Sequence, residues 1–168
     1  MSGGASFNRK ESFQAYATPP EFIASVKRRF QVDDFDWDLA ADAENAKAKK
    51  FFAVTHDALS RDWAAECSGD CWLNPPFSNI APWAAKCAAT GWLPQRVDRP
   101  GRIFLLVPAA VGSNWFARLV DGSARVYFLN GRICFDGKGP YPKDCCLCIY
   151  GEPPGYEVWR WKDSTTPR

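Results

Sequence analysis

Asn74, Pro75, Pro76 and Phe77 stand together in the stretch CWLNPPFSNIAPW, directly after an apolar run. Proline fixes φ and lacks a backbone donor, so the pair ends a strand and stiffens the turn behind it. A stiff turn holds the Asn74 amide beside the Phe77 ring. An amide that accepts hydrogen bonds next to a ring that stacks suits a flat, hydrogen-bonding substrate, and a nucleobase is one. Two carboxylates stand in comparable places: Asp38 closes DFDWD, and Asp57 follows the apolar run KFFAV. In open α/β sheets ligands bind at the carboxyl ends of the strands. Asp38, Asp57 and Asn74 each fall at the end of a predicted strand, and together they define a candidate site.

The elements that must position these residues alternate along the chain. TPPEFIASVKRRF carries a helix start, with Thr18 as N-cap, Pro19 at the first helical position and Glu21 three residues after the cap. Phe22, Ile23, Val26 and Phe30 share one face of that helix. DFDWDLAAD has strand periodicity in Phe35, Trp37 and Leu39; AENAKAKK suits a short helix or an exposed loop; KFFAVTHDAL and CWLNPPF are short apolar runs. Ser78 to Ala89 has helical spacing in Ile80, Trp83, Ala84, Cys87 and Ala88, with Gly91 behind it as a C-terminal cap. RIFLLVP reads as the middle strand of a parallel sheet, Ser113 to Val120 as a short helix, and ARVYFL, GRICF and CCLCIY as three closing strands. Strands alternating with helices, then a terminal group of strands, predict an α/β fold: a mixed, mostly parallel sheet with an antiparallel edge.

The totals agree with one such domain. The chain has 168 residues, 46% hydrophobic and 24% charged, enough to bury a real core. Residues 1–14 read as a flexible N-terminus, 15–162 as a single domain and 163–168 as a C-terminal tail. The net charge of +2 permits nucleic-acid binding without demanding it. MSGGASFNRKESF has no apolar signal core and no apolar run is long enough to span a membrane, so a cytoplasmic protein without membrane contact is expected. Seven cysteines is an odd number and argues against a disulfide framework. Cys67, Cys71, Cys145 and Cys148 have spacings that four zinc ligands can take, but CCLCIY reads as a buried strand in which cysteine acts as a small hydrophobe, so no metal is expected.

The pieces YATPPEF, FDWDLAADAENAKA, HDALSRDW, WLNPPFSNIAPWAAKC, IFLLVPA, SNWF and NGRICF run in an order that resembles the phage and prophage Dam-like DNA N6-adenine methyltransferases. NPPF is a form of the family's [DNS]-P-P-[YFW] signature. The resemblance implies a Rossmann-like, S-adenosylmethionine-dependent enzyme, phage or prophage encoded and working in a bacterial host. Its substrate would be an adenine flipped out of double-stranded DNA, and no obligate protein partner is evident. It implies that the Asn74 side-chain oxygen and the Pro75 carbonyl accept the two amino hydrogens while Phe77 stacks on the base, with Pro76 completing the motif. Toward the cofactor it implies Asp38, Ala40 and Ala41 in the loop after the first strand, Asp57 at the cofactor's adenine amine, and Tyr16, Thr18 and Pro19 closing over the methionine end. The glycine-rich FxGxG loop of the wider methyltransferase pattern is absent, replaced by alanines, which leaves Asp42 and Glu44 as candidates for the acidic ribose partner. Methylation of an RNA base or a protein glutamine, and a nucleic-acid-binding relative without turnover, are the alternatives.

The remaining cations and polar loops are the candidates for DNA contact. Arg132 and Ser78 flank turns, Lys138, Tyr141 and Lys143 lie in the loop Asp136 to Asp144, and Arg96, Arg99 and Arg102 follow the helix. His56, the sole histidine, reads as a surface or capping residue, because methyl transfer does not require it.

Overall fold

The computed structural model describes residues 17–91, 100–135 and 139–163. Its strands are β1 (Trp37–Asp38), β2 (Lys50–Phe51), β3 (Asp70–Leu73), β4 (Arg102–Pro108), β5 (Arg125–Asn130), β6 (Cys145–Tyr150) and β7 (Gly155–Arg160). They form one sheet in the order β2-β1-β3-β4-β6-β5-β7. β1, β2, β3 and β4 are parallel, β6 runs against both β4 and β5, and β7 pairs parallel to β5. Mostly parallel with an antiparallel part is thus the observed sheet, but the reversed strand is internal rather than at an edge. β6 fills the gap left between β4 and β5, and the edge beyond β5 is taken by β7.

Side chains alternate across this sheet, and helices cover both faces. Ile103, Leu105 and Val107 of β4 pack with Trp83 and Ala84 of α3 (Ala81–Thr90), Phe116 of α4 (Asn114–Leu119) and Trp63 of α2 (Trp63–Glu66). Phe104 and Leu106 point the other way, onto Phe22, Val26 and Phe30 of α1 (Pro20–Phe30) and onto Trp159 and Trp161. Each such side chain contributes roughly 1.5–3 kcal/mol on burial. A core of this size stands without cross-links, and all seven cysteines are free. Cys145 belongs to one face, and Cys67, Cys71 and Cys148 to the other, so these four thiols do not converge.

Three local expectations are corrected. α1 begins at Pro20 with Pro19 as its cap residue, so Thr18 is not the N-cap and its hydroxyl is engaged elsewhere. KFFAVTHDAL supplies only the two-residue β2; the chain then curls into two 3-10 turns, Val54–His56 and Ala58–Ser60. The His56 ring helps to close the first turn, because Nδ1 accepts the Ala53 amide at 2.9 Å, a local bond that competes with a sheet ladder. GRICF is not a strand: Ile133 gives its carbonyl to the Tyr141 amide at 2.8 Å and closes the β5–β6 connection as a loop. The seventh strand of the sheet is instead β7, for which the sequence pattern predicts no strand.

Arg102 was grouped with the loop arginines, but it opens β4 and is buried. Its guanidinium meets both oxygens of the fully buried Asp70 at 3.0 and 3.1 Å, Glu152 at 2.9 Å and the Phe30 carbonyl at 3.0 Å. One side chain therefore joins the starts of β3 and β4, the end of α1 and the β6–β7 turn. Breaking a buried pair by removing one partner costs about 3–5 kcal/mol, and the loss of Asp70 falls at the low end because the guanidinium keeps Glu152. Asp70→Ala and Arg102→Ala should each lower stability by that order in a denaturant titration, and the double variant Asp70→Val/Arg102→Met should lose less than the two single losses combined.

Candidate active site

The chain reverses direction across the sheet at β1. From β1 it crosses to β2 on one side, then returns to β3 on the other. Loops leaving the carboxyl ends of such a strand pair diverge and open a crevice between them. A small cleft, partly open to solvent, lies there, lined by Ala17, Thr18, Asp38, Ala40, Ala41, Asp42, Asn45, Lys47, Trp72 and the Asn74-Pro75-Pro76 turn.

The wall from β3 is the proline turn. Asp38 pairs in register with Trp72, which places Asn74 just beyond the strand ends. Asn74 Nδ2 donates to Thr18 Oγ1 at 3.1 Å, across 56 residues of chain. This bond uses the hydroxyl that the sequence reading had given to the helix cap. It fixes the plane of the Asn74 amide and ties the segment before α1 to the turn. Beside the turn, Phe77 meets Phe135 edge-on at 5.7 Å and Tyr141 at 5.4 Å, and those two rings meet each other at 5.8 Å. The β5–β6 loop thereby supplies two aromatic neighbours to the motif's own ring.

The wall from β1 is a loop shaped by carboxylates. Asp38 accepts the Ala40 amide at 3.2 Å and the Lys47 amide at 2.9 Å, so one buried side chain closes the loop from 38 to 47. Asp42 accepts the Glu44 and Asn45 amides and the Asn45 side chain, an Asx-type turn inside that loop. Burial pushes the Asp38 carboxyl up to about 7, against the pull of the Lys47 and Ala40 amides. In the ligand-free protein an ionised Asp38 is a stability cost. It is absent below the ordinary carboxylate range, accrues as pH rises from there toward 7 and is full above that.

Of the expected site residues, Thr18, Asp38, Ala40, Asn74, Pro75 and Pro76 are brought together around the cleft, and Phe77 flanks it. Pro19 is buried as the cap of α1. Asp57 is exposed with φ of 45° between the two 3-10 turns and does not line the cleft, because β2 ends six residues before it. Of the two ribose candidates, Asp42 lines the cleft and Glu44 does not. Ser78 is exposed in the turn after Phe77, and Arg132 is exposed with Asp144 at 3.5 Å. Tyr16, Lys138, Arg96 and Arg99 lie outside the described residues. Sequence reasoning missed Asn45, Lys47 and Trp72; the Asp-x-x-Asn spacing of DAEN was a turn signal that pointed to Asn45. The thiols take no part: burial pushes Cys67 and Cys145 up to about 12, which keeps them protonated.

The family model described as DNA N-6-adenine-methyltransferase (Dam) matches residues 5–144. The chain belongs to this family. A curated relative, the DNA N-6-adenine-methyltransferase of Haemophilus phage HP1, is 28% identical over 128 residues, covering 76% of this chain and 69% of the phage protein. The match ends within the β5–β6 loop, so it takes in both cleft walls and the aromatic neighbours of Phe77, while β6 and β7 lie beyond it.

For a member of a methyltransferase family, the Thr18–Asn74 bond makes a specific demand. Thr18→Val removes the hydroxyl at nearly constant volume and should lower kcat several-fold, the scale of one hydrogen bond of about 1 kcal/mol. Thr18→Ser should restore it in a steady-state methylation assay.

Proposed function

We propose that the chain transfers a methyl group from S-adenosylmethionine to the exocyclic amine of an adenine flipped out of duplex DNA. The observation that carries this reading is the Asn74-Pro75-Pro76-Phe77 turn standing at the switch-point cleft, its amide held by Thr18. Six strands in one direction, a reversed strand inside the sheet and a cleft where the strand order turns support a Rossmann-like description of the fold.

The cleft residues fit the cofactor. S-adenosylmethionine supplies an electrophilic methyl on a sulfonium, and its charged groups are two cations and one carboxylate. Asp38 and Asp42 offer carboxylates to the cations, Lys47 offers a cation, and the small side chains of Ala40 and Ala41 leave room beside the backbone. Thr18 would lie along the same wall, with Pro19 behind it and Tyr16 in the chain just before. The amine of adenine is a poor nucleophile because its lone pair is delocalised into the ring. The Asn74 side-chain oxygen and the Pro75 carbonyl would accept the two amino hydrogens, drawing the nitrogen toward tetrahedral geometry and aiming its lone pair. Phe77, with Phe135 and Tyr141 behind it, would hold the flipped base by ring contact. Alignment then lowers much of the barrier, and no strong base is needed. Arg132 and Ser78 remain proposed DNA contacts, as does Lys138, which lies outside the described residues.

The deciding experiment incubates the protein with S-adenosylmethionine and unmethylated duplex DNA and reads the nucleosides by mass spectrometry. N6-methyldeoxyadenosine should appear with the wild type. Asn74→Ala should reduce it by roughly 10²-fold or more, the scale of one preorganised transition-state contact, while cofactor affinity stays near wild type. Product on RNA or on protein glutamine alone would replace DNA as the substrate. Cofactor binding without product, or no binding, would favour the nucleic-acid-binding relative.

Asp38 gives a pH test. A cation beside it favours the ionised carboxylate, so cofactor binding below its folded value of about 7 expels a proton. Calorimetric affinity for S-adenosylmethionine should rise by up to about tenfold per unit of pH on the acid side of 7 and level off above it. Asp38→Asn should remove that rise; a wild-type affinity that is flat through neutrality would show that Asp38 does not face the cations.

A further inference from the structure

The end of β7 carries two cations that the site described above does not use. Arg160 closes the strand, Lys162 follows it, and both are exposed. β7 runs parallel to β5, and Asn130 pairs with Arg160, so both strands finish at the same edge of the sheet as β1 and β3, the edge that bears the cleft. Toward the start of β7, the cations Arg29 and Arg125 are engaged by Glu157, at 2.7 Å and 3.6 Å. At its finish, neither Arg160 nor Lys162 has a carboxylate partner among the described residues.

The position of these cations is built rather than incidental. The buried Trp161 between them donates from Nε1 to the Gly131 carbonyl at 2.7 Å and locks the end of β7 to the turn after β5. Gly131 has φ of 106°, and a β-carbon there would come within 3.3 Å of Lys162 Cδ, so the lysine stem lies across a turn that only glycine leaves open. The Lys162 ammonium sits 5.3 Å from the Trp161 ring. Next to this turn stands Arg132, whose exposed pairing with Asp144 at 3.5 Å is too weak to hold it from a phosphate.

We propose that the end of β7 is a phosphate-binding rail, in which Arg160 and Lys162 grip the backbone of the duplex whose adenine enters the cleft. The assignment rests on the DNA-methyltransferase reading above. β7 is four strand positions from β3 in the sheet, roughly 19 Å at ordinary strand spacing. A DNA strand carries a phosphate about every 3.4 Å, so one that leaves the cleft toward β7 passes about five phosphates before it meets the rail. Such contacts set register and affinity without reading sequence. Neither cation is within the residues matched by the family model.

The test measures duplex binding by fluorescence anisotropy as a function of salt, with full-length protein. Relative to wild type, Arg160→Gln/Lys162→Gln should bind more weakly and show a salt slope shallower by about two. Cofactor affinity and kcat at saturating DNA should not change. Arg160→Lys/Lys162→Arg, which keeps both charges, should keep the slope, as should Arg118→Gln on α4. A wild-type slope in the glutamine variant, with wild type methylating duplex DNA, overturns the rail and leaves the methyltransferase reading standing. A wild type that neither binds nor methylates duplex DNA overturns that reading and the rail together.

Discussion

The bidentate pair between Arg102 and Asp70 sets the geometry on which the cleft depends. It holds the beginnings of β3 and β4 level, in the register that pairs Asp70 with Arg102 and Leu73 with Leu105. A slip of one residue would turn every side chain of β3 to the opposite face. The guanidinium also binds the last carbonyl of α1 and Glu152 of the β6–β7 turn, so the helix that follows Thr18 and the outer strands are fixed from the same point. With one end of the sheet pinned, the four residues of β3 deliver the proline turn to a defined height at the other end. Thr18 and Asn74 can then meet at 3.1 Å although neither belongs to a regular element.

The loop after β1 turns without a glycine. Here the residues are Leu39, Ala40 and Ala41, all buried, and the backbone must still turn sharply beside a ligand space. Asp38 provides the curvature by binding amides two and nine residues ahead, and Asp42 repeats the device within the loop. Side-chain acceptors thus replace backbone freedom as the means of holding the loop open. A conformation fixed by carboxylate acceptors is coupled to protonation in a way that a glycine turn is not.

Most of this was legible where a local pattern and a tertiary demand agreed. The apolar face of α1, the buried run of β4, the short helix after Ser113 and the turn at Gly91 all appeared where residue spacing placed them. The failures occur where a tertiary contact overrode the local signal. Thr18 has the type and spacing of an N-cap, but its hydroxyl answers to Asn74. KFFAV has strand composition, but the sheet ends at β2, and without a further neighbouring strand the run coils into 3-10 turns and leaves Asp57 in solvent. GRICF reads as a strand because Ile133 and Phe135 are buried, yet they fill the space under α1 and beside Phe77 from an irregular loop. β7 was passed over because only alternate residues of GYEVWR face the core, whereas CCLCIY is buried throughout.

The two most buried carboxylates of the sheet show how the molecule divides stability from function. Asp70 is fully buried and carries a guanidinium on both oxygens, so its charge is compensated within the fold. Asp38 is nearly as buried and has no guanidinium on it; the Ala40 and Lys47 amides and the Lys47 charge oppose its burial, which still lifts the carboxyl to about 7. These groups compensate a buried charge incompletely, so the ionised carboxylate stays costly to the fold. A strand-end carboxylate left in that state is expensive for folding, and perturbed acids of this kind cluster at functional sites. The same sheet therefore closes its charge at the Arg102 end and leaves it open at the cleft, and the position of the ligand space follows from that difference as much as from the topology.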